Sequence, residues 1–246
     1  MAQAPSRVAI IDIGRTIAIC AMAVFHFTYD LELFGFAPQG TMASLEWRLF
    51  AQGIAGSFIF LSGISLVLGT LDRPIHARKY LRRLALIGFA ALAVSAGTYV
   101  ANGPAFVRFG ILHLMFAASV LGLLALRAPY WITGLFGAVI VALPHITNWP
   151  LLSGTGWLWL GLIKSPIPAM VDYTPLIPWF GVFLSGMALA QWLARQDLWP
   201  HIAGLLDPNA PRVRRLSWPG KHSLAIYLIH QPVLFGGVYL ASLFIN

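Results

Sequence analysis

Long runs of apolar residues, separated by short polar segments, extend from one end of the chain to the other. A helix needs about 20 predominantly apolar residues to cross the hydrocarbon core of a bilayer. Runs of about this length predict seven spans, at residues 8–30, 47–70, 84–102, 106–126, 130–147, 175–194 and 220–245. The pattern therefore predicts an all-α, polytopic transmembrane helical bundle in which residues 1–246 form a single domain.

Composition supports this class and excludes others. Hydrophobic residues make up 59% of the 246 residues and charged residues only 10%, with a mean hydropathy of +0.77. A soluble domain has about 25% charged residues, so an ordinary soluble enzyme, a disordered chain and a coiled coil are excluded. The net charge of +8 then favours cationic loops at an anionic membrane face, and we expect no nucleic-acid partner. With one cysteine, the chain forms no intrachain disulfide.

The distribution of positive charge predicts the orientation of the spans. If the N-terminus is cytoplasmic, thirteen of the sixteen Lys and Arg residues lie inside, and three lie outside: Arg48, Arg108 and Lys164. This asymmetry follows the positive-inside rule and predicts a cytoplasmic N-terminus. The segment 148–174, rich in Trp and Pro, is too broken to span and is predicted to be an outer interfacial loop.

The first predicted span contains four ionisable side chains. Each costs about 2.5–3.5 kcal/mol on insertion scales, so they are candidate functional residues. Asp12 and Arg15 are spaced i,i+3, and His26 and Asp30 are spaced i,i+4, so each pair shares one helix face. Arg15 and His26 are eleven residues apart, about 16 Å along the helix axis. Two other interpretations stay open: an ion pair that is only structural, and a His–Asp pair that meets interfacial water.

Polar residues in two other spans are further candidates. Arg108 and His113 lie near the outer end of the fourth span, and His230 and Gln231 lie in the seventh, beside Pro232. A membrane histidine also serves as a simple helix–helix hydrogen bond, and this alternative stays open for both histidines. No two histidines have metal-ligand spacing on one helix, so the sequence predicts no metal site.

Two basic clusters lie at the predicted inner face. Their cations either bind anionic lipid head groups or form a site for a polyphosphate ligand, and composition does not separate the two. The candidate cations on this side are Arg15, Arg78, Arg82, Arg83, Arg214, Arg215, Lys221 and His222.

Five segments carry a resemblance to a known family. They are DIGRTIAICAMAVFHFTYDL (12–31), FIFLSG (58–63), RFGILHLM (108–115), PLIPWFGVFLSG (175–186) and GKHSLAIYLIHQP (220–232). In this order, they resemble the catalytic-domain family of heparan-α-glucosaminide N-acetyltransferase. The resemblance implies a transmembrane acyltransferase that takes acetyl from cytosolic acetyl-CoA and delivers it to a sugar across the membrane. The eukaryotic enzyme is longer and has a lumenal domain, so the chain looks like the compact bacterial branch, in the cytoplasmic membrane.

The resemblance also implies roles for the candidate residues. It makes the first-span histidine, His26, catalytic, and we expect it to act as general base with Asp30 orienting its ring. A covalent acetyl-histidine is the alternative. Arg108, His113, His230 and Gln231 are expected in the acceptor pocket or near the oxyanion, and the inner cations on the CoA phosphates. Expected partners are acetyl-CoA, an extracytoplasmic sugar or glycolipid and membrane lipids, and homo-oligomerisation stays open.

The competing hypothesis is a proton-coupled small-molecule transporter with an intramembrane His/Asp relay. A transporter is expected to have symmetric halves around a central polar site. An acyltransferase is expected to have a basic inner mouth and a histidine near the outer end. The sequence has no strong internal repeat and favours the second arrangement, whereas a non-catalytic scaffold leaves the buried polar residues unexplained.

The charge asymmetry makes a prediction about topology. In a Cys20→Ser background, a cysteine placed in 148–174 should react with an impermeant maleimide added to the outside of intact cells. A cysteine placed in 195–219 should react only after the membrane is permeabilised. The opposite labelling pattern would contradict the cytoplasmic N-terminus.

Overall fold

The computed structural model describes residues 8–71, 75–146, 154–162 and 167–245 of the chain. Helices dominate these residues, and the only strand-like pairing among them is an isolated bridge between Phe109 and Tyr173. The α-helices of the described ranges are α1 (Ala9–Leu33), α2 (Leu45–Leu68), α3 (Ala77–Asn102), α4 (Ile111–Ala125), α5 (Tyr130–Ile146), α6 (Leu176–Arg195), α7 (Trp199–Gly204), α8 (Pro211–Lys221) and α9 (Ser223–Ile245). Two short 3-10 turns, Gly103–Ala105 and Thr155–Trp157, lie between them.

Each of the seven predicted spans corresponds to one apolar helix. Five helices in the described ranges, α1, α2, α3, α6 and α9, are long and apolar enough to cross a membrane, whereas α4 and α5 are shorter apolar helices. Large apolar side chains face outward along them, as with Val100, Leu124 and Phe244, each more than 80% exposed. Such a surface suits lipid rather than water. The chain is therefore an integral membrane protein, and the predicted all-α polytopic class is confirmed.

The helix bounds differ from the predicted spans where the sequence is basic. α3 begins at Ala77, seven residues before the predicted start, so its first two turns carry the cluster from Arg78 to Arg83. Residues 211–221 form the separate helix α8, and α9 begins at Ser223 rather than at residue 220. Hydropathy could not reveal α7 and α8 because neither is a long apolar run. Of the residues used to predict orientation, Arg7, Arg73 and Lys164 lie outside the described ranges.

The chain divides into two compact units. Among the described residues, we term those of 59–200 the middle unit, and those of 8–58 with 201–245 the terminal unit. In the middle unit α3 and α4 run antiparallel, because Tyr80 donates to the carbonyl of Ser119 while Ser95 contacts His113. The largest fully buried apolar side chains among the described residues of this unit are Ile59, Leu114, Phe183 and Met187.

In the terminal unit α1 and α9 run parallel. Contacts follow the same order along both helices, at His26 with His230, Asp30 with Gln231, and Phe34 with Phe235. Two parallel helices enter a membrane from the same side. This pairing agrees with a topology in which the first and seventh spans have the same direction.

The basic helix α8 packs against the first half of α1 with its backbone. The hydroxyl of Thr16 donates to the carbonyl of Leu216 at 2.7 Å and accepts the N–H of Gly220 at 2.9 Å. A Cβ at Gly220 would overlap the carbonyl oxygen of Asp12, so this approach requires glycine. The contact holds α8 beside the Asp12–Arg15 end of α1.

The α1–α8 contact predicts a stability effect of one methyl group. Gly220→Ala should destabilise the terminal unit by about 1–3 kcal/mol, because overpacking forces the two backbones apart. In the matched variant Gly236→Ala in α9, the added Cβ meets no atom within 4 Å. Because alanine favours a helix more than glycine does, this variant should be as stable as the wild type or slightly more stable. Thermal unfolding of both variants in detergent measures the difference. Equal melting temperatures would contradict the described approach of α8 to α1.

Candidate functional site

Four polar side chains meet where the C-terminal half of α1 packs against the N-terminal half of α9. We term His26, Asp30, His230 and Gln231 the α1–α9 cluster. The i,i+4 spacing places His26 and Asp30 on one face of α1, and consecutive positions on α9 supply the other two. The centroids of the two imidazole rings are 4.9 Å apart, in an edge-on arrangement. The structure thus brings together four predicted site residues from opposite ends of the sequence.

Asp30 is bound to α9 rather than to the neighbouring histidine. Its carboxylate is fully buried, and Oδ1 accepts a hydrogen bond of 2.9 Å from Gln231 Nε2. Within the described ranges, Oδ2 has no hydrogen-bond partner, and neither oxygen of Asp30 bonds to His26. The orienting role of Asp30 towards His26 therefore stays a prediction, while its contact with Gln231 fixes the register of α1 on α9.

His230 has a tautomer set by its own helix. Its Nδ1 lies 2.6 Å from the carbonyl oxygen of Tyr227, one turn earlier. A carbonyl only accepts, so Nδ1 carries the proton and donates it. In the neutral ring, Nε2 then presents a lone pair, and it is buried without a partner among the described residues.

The α1–α9 cluster contains three buried polar atoms without partners in the described ranges: Asp30 Oδ2, Gln231 Oε1 and His230 Nε2. All three are hydrogen-bond acceptors, given the hydrogen bonds that Asp30, Gln231 and His230 already make. Leaving such atoms unpaired inside a protein costs about 1–3 kcal/mol each. The cluster is therefore suited to a group that donates hydrogen bonds, such as a hydroxyl or an amine.

The predicted pairing of Asp12 with Arg15 is confirmed. Arg15 Nη1 lies 3.8 Å from Asp12 Oδ1, and the Asp12 side chain is almost fully buried. The Cβ of Arg15 lies against Gly220, directly before Lys221. This end of α1 therefore combines the cation of Arg15 with the basic face of α8.

The predicted CoA-binding cations fall in both units. Arg214 and Arg215 are exposed on α8, and exposed His222 lies with its ring 4.7 Å from that of Trp218. In the middle unit, three of the predicted cations are exposed on the first turns of α3: Arg78, Arg82 and Arg83. Exposed cations suit either polyphosphate or lipid head groups, so their ligand stays a prediction.

Arg108 and His113 lie in the middle unit, where His113 supports the start of α4. Its Nδ1 accepts the N–H of Gly110 at 3.3 Å, and its Nε2 lies 3.3 Å from the hydroxyl of Ser95. The guanidinium of Arg108 stacks 4.6 Å above the ring of Phe106, and its buried Nη1 has no partner among the described residues. Both ring nitrogens of His113 thus make structural contacts. The expected place of Arg108 and His113 in the pocket for the acceptor substrate stays a prediction.

Asp172 is a buried carboxyl group that the sequence interpretation missed. Its Oδ2 accepts the N–H of Ile111 at 2.8 Å, at the first turn of α4, and its Oδ1 accepts the Thr174 hydroxyl at 2.8 Å. The Asp172 carboxylate occupies the space that a side chain at position 110 would need, so a Cβ on Gly110 would overlap Oδ2. The only local signal was the spacing of Asp172 and Thr174 within the segment assigned to an interfacial loop.

Metal ligation receives no support from the side chains in the described ranges, which contain no group of three or more His, Cys, Asp or Glu residues arranged to hold an ion. The α1–α9 cluster supplies two imidazoles and one carboxylate, but Asp30 is already bound to Gln231 through Oδ1. The two imidazoles and the carboxylate can take part in proton transfer and hydrogen bonding.

Comparison with known proteins identifies the family. The family model described as heparan-alpha-glucosaminide N-acetyltransferase, catalytic, matches residues 7–232. This match covers nearly the whole chain, includes the five segments quoted above and confirms their resemblance. No curated protein and no solved structure matches the chain.

The Asp172 contact predicts a stability effect and its pH dependence. Asp172→Ala should cost about 1–3 kcal/mol because the N–H of Ile111 loses its partner. Asp172→Asn keeps an oxygen acceptor and should restore most of this loss. Thermal unfolding of the three proteins in detergent measures both effects, and equal stability of the alanine variant and the wild type would contradict the contact.

Burial raises the pKa of the Asp172 carboxyl. The hydrogen bonds from Ile111 and Thr174 lower this pKa, but by less than burial raises it. The folded state therefore binds this proton more tightly than the unfolded state. Stability from this group should be full below about pH 4 and should fall as pH rises through the raised pKa. Asp172→Asn has no titrating carboxyl at this position, so its free energy of unfolding should lack this fall. If the free energies of unfolding of variant and wild type differed by a constant amount from about pH 4 to pH 8, the raised pKa would be contradicted.

Proposed function

Because the chain belongs to the heparan-alpha-glucosaminide N-acetyltransferase catalytic family, a family of membrane acetyltransferases, we propose that it uses acetyl-CoA as donor and an amino or hydroxyl group of a saccharide as acceptor. The observation that carries this proposal is the α1–α9 cluster, which has two imidazoles 4.9 Å apart and three buried acceptor atoms without partners in the described ranges. Acyl transfer from a thioester to an amine or alcohol requires a base that removes one proton, and this cluster supplies it.

His26 is the proposed general base. Its imidazole takes the proton from the acceptor N–H or O–H as the nitrogen or oxygen attacks the thioester carbonyl carbon. The C–S bond then breaks, CoA leaves as the thiolate, and the imidazolium returns the proton to the sulfur. The reaction forms one amide or ester bond, breaks one thioester bond and leaves the enzyme unchanged.

His230 and Asp30 support this base from the neighbouring turns. The Nδ1 proton of His230 is already donated to Tyr227, so His230 Nε2 acts as an acceptor for the incoming hydroxyl or amine. Asp30 Oδ2 and Gln231 Oε1 offer two further acceptors in the same cluster. Converging acceptors orient the nucleophile and leave its lone pair available for attack.

The donor is proposed to bind at the other end of α1. Arg15, Lys221 and the exposed Arg214 and Arg215 provide cations for the CoA phosphates, and Arg15 is about 16 Å from His26 along the axis. An extended pantetheine arm suits that separation. The cations on α3, Arg78, Arg82 and Arg83, are the second candidate group for the same phosphates.

The proposed sidedness follows from charge. The basic α8 and the Asp12–Arg15 end of α1 face the cytoplasm, where acetyl-CoA is available, and the α1–α9 cluster faces the extracytoplasmic side. The membrane that we propose is the bacterial cytoplasmic membrane. The family match favours this transferase over the proton-coupled carrier.

The central prediction of this proposal concerns His26. His26→Ala should lower acetyl transfer by roughly 10²–10⁴-fold, about 3–5 kcal/mol of barrier, because the base is lost. CoA binding by calorimetry should be retained, because the phosphate cations lie at the opposite end of α1. Asp30→Asn should give a smaller loss, since it removes no base.

The matched control is His201→Ala, which removes an exposed histidine from α7 in the same unit. This variant should keep wild-type turnover and CoA affinity. Turnover of folded His26→Ala protein within threefold of wild type would contradict its role as base. Loss of turnover together with CoA affinity would indicate a structural defect instead.

A further inference from the structure

An apolar groove lies between α1 and α9 immediately beyond the α1–α9 cluster. Its volume is about 420 Å³, and its lining includes Phe27 and Leu31 on α1 and Leu234, Gly237 and Val238 on α9. Phe27 and Leu31 directly follow His26 and Asp30 in the sequence, and the α9 residues lie one to two turns after Gln231. The groove and the polar cluster are therefore neighbouring parts of one helix pair.

We propose that this groove binds the hydrocarbon chain of a lipid-linked acceptor, whose saccharide head donates hydrogen bonds to the α1–α9 cluster. This inference rests on the proposed acetyl transfer and specifies the class of its acceptor. A site of a few hundred Å³ with apolar walls and a few convergent polar atoms is typical of small-molecule recognition. Here, the walls of the groove are apolar, and the unpartnered polar atoms lie next to it on the same two helices, so a ligand that reaches both is amphipathic.

The chemistry of the polar end distinguishes this acceptor from ordinary membrane phospholipid. Asp30 Oδ2, Gln231 Oε1 and His230 Nε2 are all acceptors, and each is buried without a partner in the described ranges. A phosphate oxygen would bring a fourth acceptor to this group and repel an ionised Asp30. Hydroxyl and amino groups of a sugar supply the donors that the three atoms lack.

Two adjacent glycines in α9 provide a matched pair for testing the groove. Gly237 lines it and Gly236 does not, and an added Cβ at either position meets no atom within 4 Å. Gly237→Leu should therefore fill the groove without disturbing the helix pair. Gly236→Leu adds the same volume and the same hydrophobicity to the neighbouring helix face.

The experiment compares methyl and dodecyl glycosides of glucosamine as acceptors for the full chain in nanodiscs. Partitioning into the bilayer lowers the apparent KM of the dodecyl glycoside in every variant, so the variants are compared with each other. Gly237→Leu should raise the KM for the dodecyl glycoside by roughly tenfold, equivalent to about 1.4 kcal/mol, and leave the methyl glycoside unchanged. Gly236→Leu should match the wild type with both acceptors.

Binding measured without catalysis separates this inference from the proposed function. The dodecyl glycoside should raise the melting temperature of the wild type and Gly236→Leu, and should raise that of Gly237→Leu much less. This pattern without acetyl transfer would support the groove and contradict the acetyl-transfer assignment. Equal KM values and equal thermal shifts for the two leucine variants would overturn the groove, even if acetyl transfer proceeds.

Discussion

The terminal unit depends on the burial of one carboxylate within an apolar helix. Asp30 is fully buried, and its hydrogen bond with Gln231 joins α1 to α9. A buried charge that lacks hydrogen bonds is strongly unfavourable, so this contact restricts the two helices to one register. In that register, the two parallel helices bring His26 within ring contact of His230. Asp30, a buried carboxylate in an apolar span, therefore positions the histidines that we propose for catalysis.

The same helix has a second polar contact at its opposite end, where Thr16 and Gly220 hold the basic α8 close to Asp12 and Arg15. Cations thus collect at one end of α1, while acceptor atoms and imidazoles collect towards the other. Along a helix that crosses a membrane, this arrangement would separate the phosphate-rich donor that we propose from the sugar acceptor that we propose. A single pair of helices can then carry both ends of an acetyl transfer, with the apolar groove next to the acceptor end.

Hydropathy was sufficient to predict the apolar helices because a lipid bilayer strongly constrains the length and the composition of a helix that crosses it. The pairing of Asp12 with Arg15 followed from helical spacing alone. Contacts distant in sequence were not predictable in this way. No local pattern indicated that Asp30 binds Gln231 or that Asp172 caps α4. The polar helix α8 was missed because hydropathy registers only long apolar runs.

The central proposal is that acetyl passes from a donor on the basic side of the membrane to an acceptor on the other side. The most direct test is reconstitution in vesicles of known orientation, with radiolabelled acetyl-CoA on one side and an amino-sugar acceptor on the other. Labelled acceptor should accumulate only when acetyl-CoA faces α8 and the acceptor faces the opposite surface. Transfer that requires both substrates on one side, or that proceeds equally in both orientations, would contradict the account.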